Sequence, residues 1–234
     1  LRAGLRSVTV SLDGYTAESH EWFRGKKGSW SRAVDAIRRV ASTPDLVYDV
    51  VTCVNKKSLP DLHKLKELLI SLGVTHWRLF TVFPKGRAKD NPLLRLSVDE
   101  FVQMMDFIKQ TRKEGIIRAS YGCEGYLADY EMQVRDAPFF CQAGIHIGSV
   151  LANGDISACP SLRGDYIQGN IYKDDFWTVW NTRYQIMRDR SWTKMGKCAT
   201  CKSYKYCEGN GLHLRDEQTG ELLQCHLEMM GKLN

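Results

Sequence analysis

The sequence predicts an α/β chain in two parts. A parallel sheet covered by helices, with too few units to close a barrel, precedes a small cysteine-rich α+β domain. Three observations carry this reading. Strand and helix patterns alternate over the first 120 residues, as βα units of a parallel sheet do. After about residue 120 that rhythm gives way to hairpin, turn and cysteine signals. Six of the eight cysteines fall between Cys141 and Cys225. The domains are therefore expected at 1–120 and 121–234.

Ser7–Leu12 is rich in β-formers and ends at Asp13-Gly14, a turn signal. Ser29 can cap a helix in which Trp30, Ala33, Val34, Ile37 and Val40 recur at helical spacing. Leu46–Val54 reads as the second strand through Val47, Val50 and Val51. Pro60 opens a helix whose apolar face is Leu62, Leu65, Leu68, Leu69 and Leu72, and Gly73 closes it. Val74–Val82 is the third strand, with Trp77, Leu79 and Phe83 as apolar bulk. Ser97 and Glu100 form a capping-box signature before Phe101, Met104, Met105 and Ile108. Gly115 ends that helix, and Ile116-Ile117 opens a short fourth strand. Functional groups on such sheets sit just past the carboxyl ends of strands. Asp13, Asn55 and the Lys85-Gly86-Arg87 loop hold those positions. Cys53 lies among apolar strand residues and is expected in the core.

In the second part, Ile145–Leu151 and Asp155–Ala158 flank Ala152-Asn153-Gly154, a hairpin signal. A helix over Asp175–Met187 follows, with Phe176, Val179, Trp180 and Ile186 as its buried face. A segment so short of core material is expected to draw folding free energy from bound metal.

The sharpest local signal is Cys198-x2-Cys201-x5-Cys207, followed by Cys225. A two-residue gap turns two thiolates toward one ion or cluster, and the later cysteines can complete a four-thiolate site. Spacing leaves a zinc knot and an iron–sulfur cluster both open, since both accept four thiolates. Cys141 and Cys159 flank the hairpin, and Cys123 precedes them; these three are either ligands of a second site or buried thiols. Tyr204 and Tyr206 lie inside the cysteine loop and can shield it from solvent.

Lys and Arg number 33 against 27 Asp and Glu, a net charge of +6. That balance is too weak for a nucleic-acid footprint. Lys194, Lys197, Lys202 and Lys205 gather near the cysteines, either as a solvated face or as an offset to a negatively charged cluster. No apolar run is long enough to span a membrane, and a cytoplasmic location is expected. Leu1-Arg-Ala-Gly4 reads like the tail of a helix begun earlier, which predicts that the sequence is part of a longer protein.

With these motifs assembled, the chain resembles the radical SAM superfamily, and within it the proteins carrying a cysteine-rich C-terminal SPASM domain. Ser11-Leu-Asp-Gly14 is similar to the segment closing the fourth core strand, and Arg24-Gly25 to the arginine-glycine that often follows it. Thr52-Cys-Val-Asn55 is similar to the end of the fifth strand, and Trp77–Phe83 to the sixth. The SPASM-like pattern runs from Cys141-x12-Gly154-x4-Cys159 through Cys198, Cys201 and Cys207 to Cys225.

The resemblance implies a partial (β/α) radical-SAM-like barrel half followed by a SPASM-like auxiliary iron–sulfur domain. It implies an oxidoreductase-type enzyme that binds S-adenosyl-L-methionine and modifies a peptide or protein, drawing electrons from a reductant such as flavodoxin or ferredoxin. Asp13, Asn55 and Arg24 become S-adenosylmethionine contacts, the first two through hydroxyl or amino groups and Arg24 through the carboxylate. Cys198, Cys201, Cys207 and Cys225 become ligands of an auxiliary 4Fe-4S cluster. Cys141 and Cys159 become ligands of another, with Cys123 as a replacement ligand and His213 or an exogenous ligand completing it.

Two departures qualify it. The three-cysteine motif that holds the S-adenosylmethionine cluster is absent from these residues, so the chain alone is expected to be inactive. Gly211 stands where the pattern places a further cysteine for the first auxiliary cluster. Pro160, where sulfatase-maturing relatives carry an Asp, argues against that activity. The competing reading is a zinc-stabilised, non-catalytic module that binds protein or nucleic acid.

Overall fold

The computed structural model describes residues 4–122, 124–162 and 166–233, excluding the side chain of Arg87. The chain divides into two compact units, one of residues 4–122 with Ala128–Pro138, the other of residues 124–127 with 139–233. The composition shift placed the boundary at 120; the excursion at 128–138 returns to the first unit because the Tyr121 N–H donates to the Val134 carbonyl at 2.7 Å.

Four parallel strands form the sheet of the first unit: β1 (Ser7–Ser11), β2 (Val47–Val54), β3 (His76–Thr81) and β4 (Arg118–Tyr121), adjacent in that order. Their register aligns Val10 with Val50, Val50 with Trp77 and Trp77 with Ala119. The connections carry α1 (Ala17–Arg24), α2 (Ser29–Ala41), α3 (Leu62–Ser71) and α4 (Val98–Glu114). Consecutive crossovers of one hand bring connecting helices to one face of a sheet whose strands follow chain order. On one face Val50, Trp77, Leu79 and Ala119 are buried, and Ile37, Leu65, Leu69, Met104 and Ile108 of the helices are buried as well.

The alternate positions carry Thr9, Asp49 and Arg78. Thr9 donates to Asp49 at 2.7 Å, and Arg78 pairs with the same carboxylate. Cys53 shares the parity of Asp49 along β2 and is half-buried, not a core residue. The strand alternates with period two, and Thr52 and Val54 take the buried positions on either side of it.

Local chemistry sets the element ends. Ser97 and Glu100 close the expected capping box on α4, and Gly115 ends it at φ +75°. The first residue of α2 is Ser29, with Gly28 at the cap. Helix α1 gives little apolar signal in sequence, burying His20 alone among its residues; Thr16 and Ser19 cap it reciprocally. Beneath the sheet ends, the buried Thr52 hydroxyl donates to the Leu12 carbonyl at 2.6 Å and accepts from Trp77 Nε1 at 2.9 Å.

The second unit holds β5 (Ser149–Val150), β6 (Asp155–Ser157) and β7 (Gly169–Asn170) in an antiparallel sheet, with Gly154 at φ +86° in the expected hairpin turn. The single helix expected over Asp175–Met187 is two, α5 (Phe176–Thr182) and α6 (Gln185–Arg188). The break at Arg183-Tyr184 resets the helical phase, so Tyr184 and Met187 are buried while Ile186 is 40% exposed. The last helices are α7 (Tyr204–Cys207) and α8 (His226–Met229). Among the described residues no helix is long and apolar enough to cross a membrane.

Thr52→Val keeps the shape of its side chain but strands the Trp77 indole N–H. It is expected to lower the stability of the first unit by about 1–3 kcal/mol, read as a lower urea midpoint by tryptophan fluorescence.

Candidate metal centre and strand-end site

Cys198, Cys201, Cys207 and Cys225 line one small cavity, together with Tyr126, Tyr204 and Leu227 among others. The short turns between them bring this about. Cys198 ends the 3₁₀ turn Gly196–Cys198, Cys207 ends α7, and Cys225 caps α8. Glu208, Gly209 and Asn210 then follow Cys207 at φ +45°, +80° and +68°, a left-handed run that carries the chain back past its sulfur. A Cβ on Gly209 would come within 2.6 Å of Arg215 and Thr193, so the return depends on glycine there.

Burial pushes the Cys207 thiol up, the N–H groups of Gly209 and Asn210 oppose that, and the neighbouring Cys198 and Cys201 raise it further. Cys225 is also pushed up by burial, opposed by the N–H groups of Glu228 and Leu227. Arg215 is fully buried beside them. Its guanidinium donates to the carbonyls of Gly209 (3.0 Å), Gly220 (2.7 Å) and Thr193 (2.9 Å), and lies 3.4 Å from Cys198 Sγ.

Among the described residues, no three His, Cys, Asp or Glu side chains meet closely enough to hold a single metal ion. Four soft thiols lining one cavity suit a metal centre, and zinc and an iron–sulfur cluster both take such a donor set.

The other expected ligands are placed differently. Cys141 and Cys159 pack, partly buried, against the apolar cluster of Ile156, Leu162, Tyr184 and Leu212. Cys123 lies outside the described residues. At Gly211, where a further cysteine was looked for, an added Cβ would meet the Glu124 carbonyl oxygen at 2.7 Å. Backbone already occupies that space. The segment 124–127 is clamped here. The Gly211 N–H donates to the Glu124 carbonyl (3.3 Å), Asn210 accepts from the Tyr126 N–H (3.0 Å), and buried Glu124 lies 3.4 Å from His226 Nε2. His213, the other candidate near Gly211, has its ring within 2.7 Å of that same added Cβ. Tyr206 is exposed and stacks on Tyr126.

In the first unit, Asp13 and Asn55 stand just past the carboxyl ends of β1 and β2, both buried. Asp13 accepts from the Cys53 N–H at 2.8 Å and from Arg24 Nε. Its own N–H donates to His20 Nδ1 at 3.0 Å, and burial lowers the His20 pKa, with Asp13 pulling the other way. Arg24 therefore meets a carboxylate of the chain itself; its terminal guanidinium nitrogens have no hydrogen-bond partner among the described residues. Asn55 accepts from the N–H groups of Lys57 and Ser58 at 3.0 and 3.2 Å, so its side-chain oxygen serves the turn after β2. The Lys85-Gly86-Arg87 loop forms a 3₁₀ turn at Gly86–Ala88. A cleft of about 600 Å³ lies elsewhere, over the amino-terminal halves of the strands beside Thr9, Asp49 and Arg78.

Sequence reasoning missed Arg215 and Asn210. An arginine in a polar run and an asparagine in a glycine-rich loop carry no spacing signal. The run Glu208–Gly211, with two glycines around an asparagine, was the available sign of a tight return.

Several known proteins resemble this chain. Residues 141–202 match the SPASM iron–sulfur cluster-binding domain. An AdoMet-dependent heme synthase of Methanosarcina barkeri is 26% identical over 224 residues, covering 88% of this chain and 62% of the relative. The mycofactocin maturase MftC of Mycobacterium tuberculosis is 27% identical over 211 residues, covering 86% and 51%. The chain thus spans between half and two thirds of the length of these relatives. The structure of anSMEcpe with bound AdoMet and Cp18Cys peptide superposes with a TM-score of 0.62 at 14% identity, covering 97% of this chain and 66% of that one, a likeness of fold.

Metal-bound thiolates must give up protons that burial makes Cys207 and Cys225 hold more tightly. Loading should therefore release protons and weaken as pH falls, by about tenfold per pH unit for each proton released. Iron and sulfide uptake by the anaerobic metal-free protein, followed from about pH 6 to about pH 9 around the ordinary thiol value of about 8.5, measures it; a pH-independent uptake would contradict the ligand set.

Proposed function

Because the chain belongs to the radical SAM/SPASM family, we propose that it is the part of such an enzyme that holds an auxiliary 4Fe-4S cluster on Cys198, Cys201, Cys207 and Cys225. The observation that carries this is the single cavity the four thiols share. When bound, the cluster supplies one-electron chemistry. The chain's own residues hold it, exclude water and bias its charge, through Tyr126, Tyr204 and the N–H groups around Cys207 and Cys225. Cys141 and Cys159 are the candidates for a second cluster, with Cys123 as a third ligand.

S-adenosylmethionine is received at the carboxyl ends of β1 and β2. Asp13 acts there as a positioning residue, fixing Arg24 and the Cys53 backbone. Arg24 offers its terminal guanidinium nitrogens to the carboxylate of the ligand. Asn55 shapes the neighbouring turn. The substrate is a peptide or protein, in keeping with the peptide-bound structure of anSMEcpe and the likeness to a mycofactocin maturase. The likeness to AdoMet-dependent heme synthase favours a second reading, a tetrapyrrole substrate. A porphyrin binding tightly to the full-length enzyme, with no peptide competing, would decide for it. The reductant is a flavodoxin or ferredoxin, and the protein acts in the cytoplasm, where thiols stay reduced. The 234 residues hold no CxxxCxxC motif, so reductive cleavage of S-adenosylmethionine is expected of a chain that carries one, not of these residues alone.

Anaerobic reconstitution with iron and sulfide should give about four of each at the four-thiol site. Cys198→Ala should lose that cluster, whereas Cys53→Ala should retain it. Stoichiometric zinc without sulfide, even with iron in excess, would overturn the cluster.

A further inference from the structure

A buried cation in a folded chain is ordinarily met by a carboxylate or by several strong acceptors. Arg215 is fully buried, yet among the described residues no carboxylate lies within ion-pair distance of it. Three backbone carbonyls hold its guanidinium, from Thr193, Gly209 and Gly220. These come from three separate turns, so the fork is fixed in place on several sides. The same NH2 that donates to Thr193 reaches Cys198 Sγ at 3.4 Å, within range of a hydrogen bond to sulfur. Carbonyl dipoles anchor the group but do not neutralise it. The charge that remains lies against Cys198, one of the four thiols lining that cavity, with the Trp192 ring centroid 5.7 Å from the guanidinium carbon.

We propose that Arg215 is the built-in counter-cation of this site, a positioning residue that raises the reduction potential of the cluster held there. The inference rests on the cluster reading given above. Reduction adds one electron and no proton, so the site becomes more negative by one charge. A fixed guanidinium beside Cys198 stabilises that reduced form more than the oxidised one. Hydrogen bonding to a ligating sulfur acts in the same direction. Arginine suits the position where lysine would not, because one planar fork can meet three carbonyls and a sulfur at once.

The test uses the whole chain, reconstituted anaerobically, in a redox titration with dithionite and mediators followed by electron paramagnetic resonance. Arg215→Gln should shift the reduced-to-oxidised ratio at fixed poise at least tenfold toward oxidised, a fall of about 59 mV for one electron. Arg215→Lys, which keeps the charge, should recover part of that shift. In wild-type protein grown on guanidino-¹⁵N arginine, the reduced cluster should show weak ¹⁵N hyperfine coupling. This readout needs no variant to fold. Wild-type protein that takes up no sulfide sinks the cluster reading, and the counter-cation with it. Iron and sulfide present, with no ¹⁵N coupling, overturns the role of Arg215 alone. So does an unchanged potential in Arg215→Gln.

Discussion

Four cysteine sulfurs share one cavity, and as ligands of the proposed cluster all four would become anions. Thiolates so close repel one another, and burial removes the water that would screen them. The surroundings answer with donors. The N–H groups of Gly209 and Asn210 oppose the upward push of burial on the Cys207 thiol, those of Glu228 and Leu227 do so for Cys225, and Arg215 reaches Cys198. These donors come from loops rather than long elements, so the loops cannot relax without losing them. Gly209 and Asn210 take their positive φ values for this reason, and Gly211 lacks a Cβ because the clamp on segment 124–127 leaves no room for one.

The strand-end site solves a related problem with the opposite sign. Asp13 is a buried carboxylate, and it is met by the Cys53 N–H and by Arg24. Its N–H is taken by His20, whose ring must then accept at Nδ1. One carboxylate thus ties the end of β1 to β2 and to α1. A buried anion that is fully hydrogen-bonded orders its neighbours more than it stabilises them. That suits the role proposed for Arg24, which needs a fixed direction. Thr52 makes the complementary link below it, bridging Leu12 and Trp77 through one hydroxyl.

Much of this was legible in the sequence, for identifiable reasons. Period-two and period-3.6 patterns mark β2, α3 and α4 because packing on one face selects apolar residues at fixed intervals. Asp13 and Asn55 were visible because they follow strands, and Cys198, Cys201 and Cys207 because their gaps are short, with Cys225 as the next cysteine along. Pairings between distant segments were not. Arg24 is eleven residues from Asp13, and nothing in the spacing says that the two meet. Arg215 sits in a polar run that reads as surface, and only the carbonyls of Thr193, Gly209 and Gly220 make it interior. Cys53 was misplaced because a run of apolar residues hides which parity faces the helices. Ile186 was misplaced because a two-residue break changes the phase of a helix.

The expectation that the cysteine-rich part leans on metal for its folding can now be narrowed. The hairpin and helices α5 and α6 have a core of their own in Ile156, Val179, Tyr184 and Met187, and the Tyr184 hydroxyl donates to the Ser157 carbonyl at 2.8 Å. After Met195, Leu212 alone among the described residues enters that cluster. The helices and turns there, at Gly196–Cys198, Tyr204–Cys207, Leu212–Leu214 and His226–Met229, are of three or four residues each. Helices far shorter than about 12 residues do not hold themselves in water. Leu214, Leu227 and Met230 are buried there as well, and Arg215, Asn210 and the four sulfurs tie the turns together. Metal–sulfur bonds would therefore add to a small core in this last segment, while the hairpin and its helices stand on a larger apolar cluster.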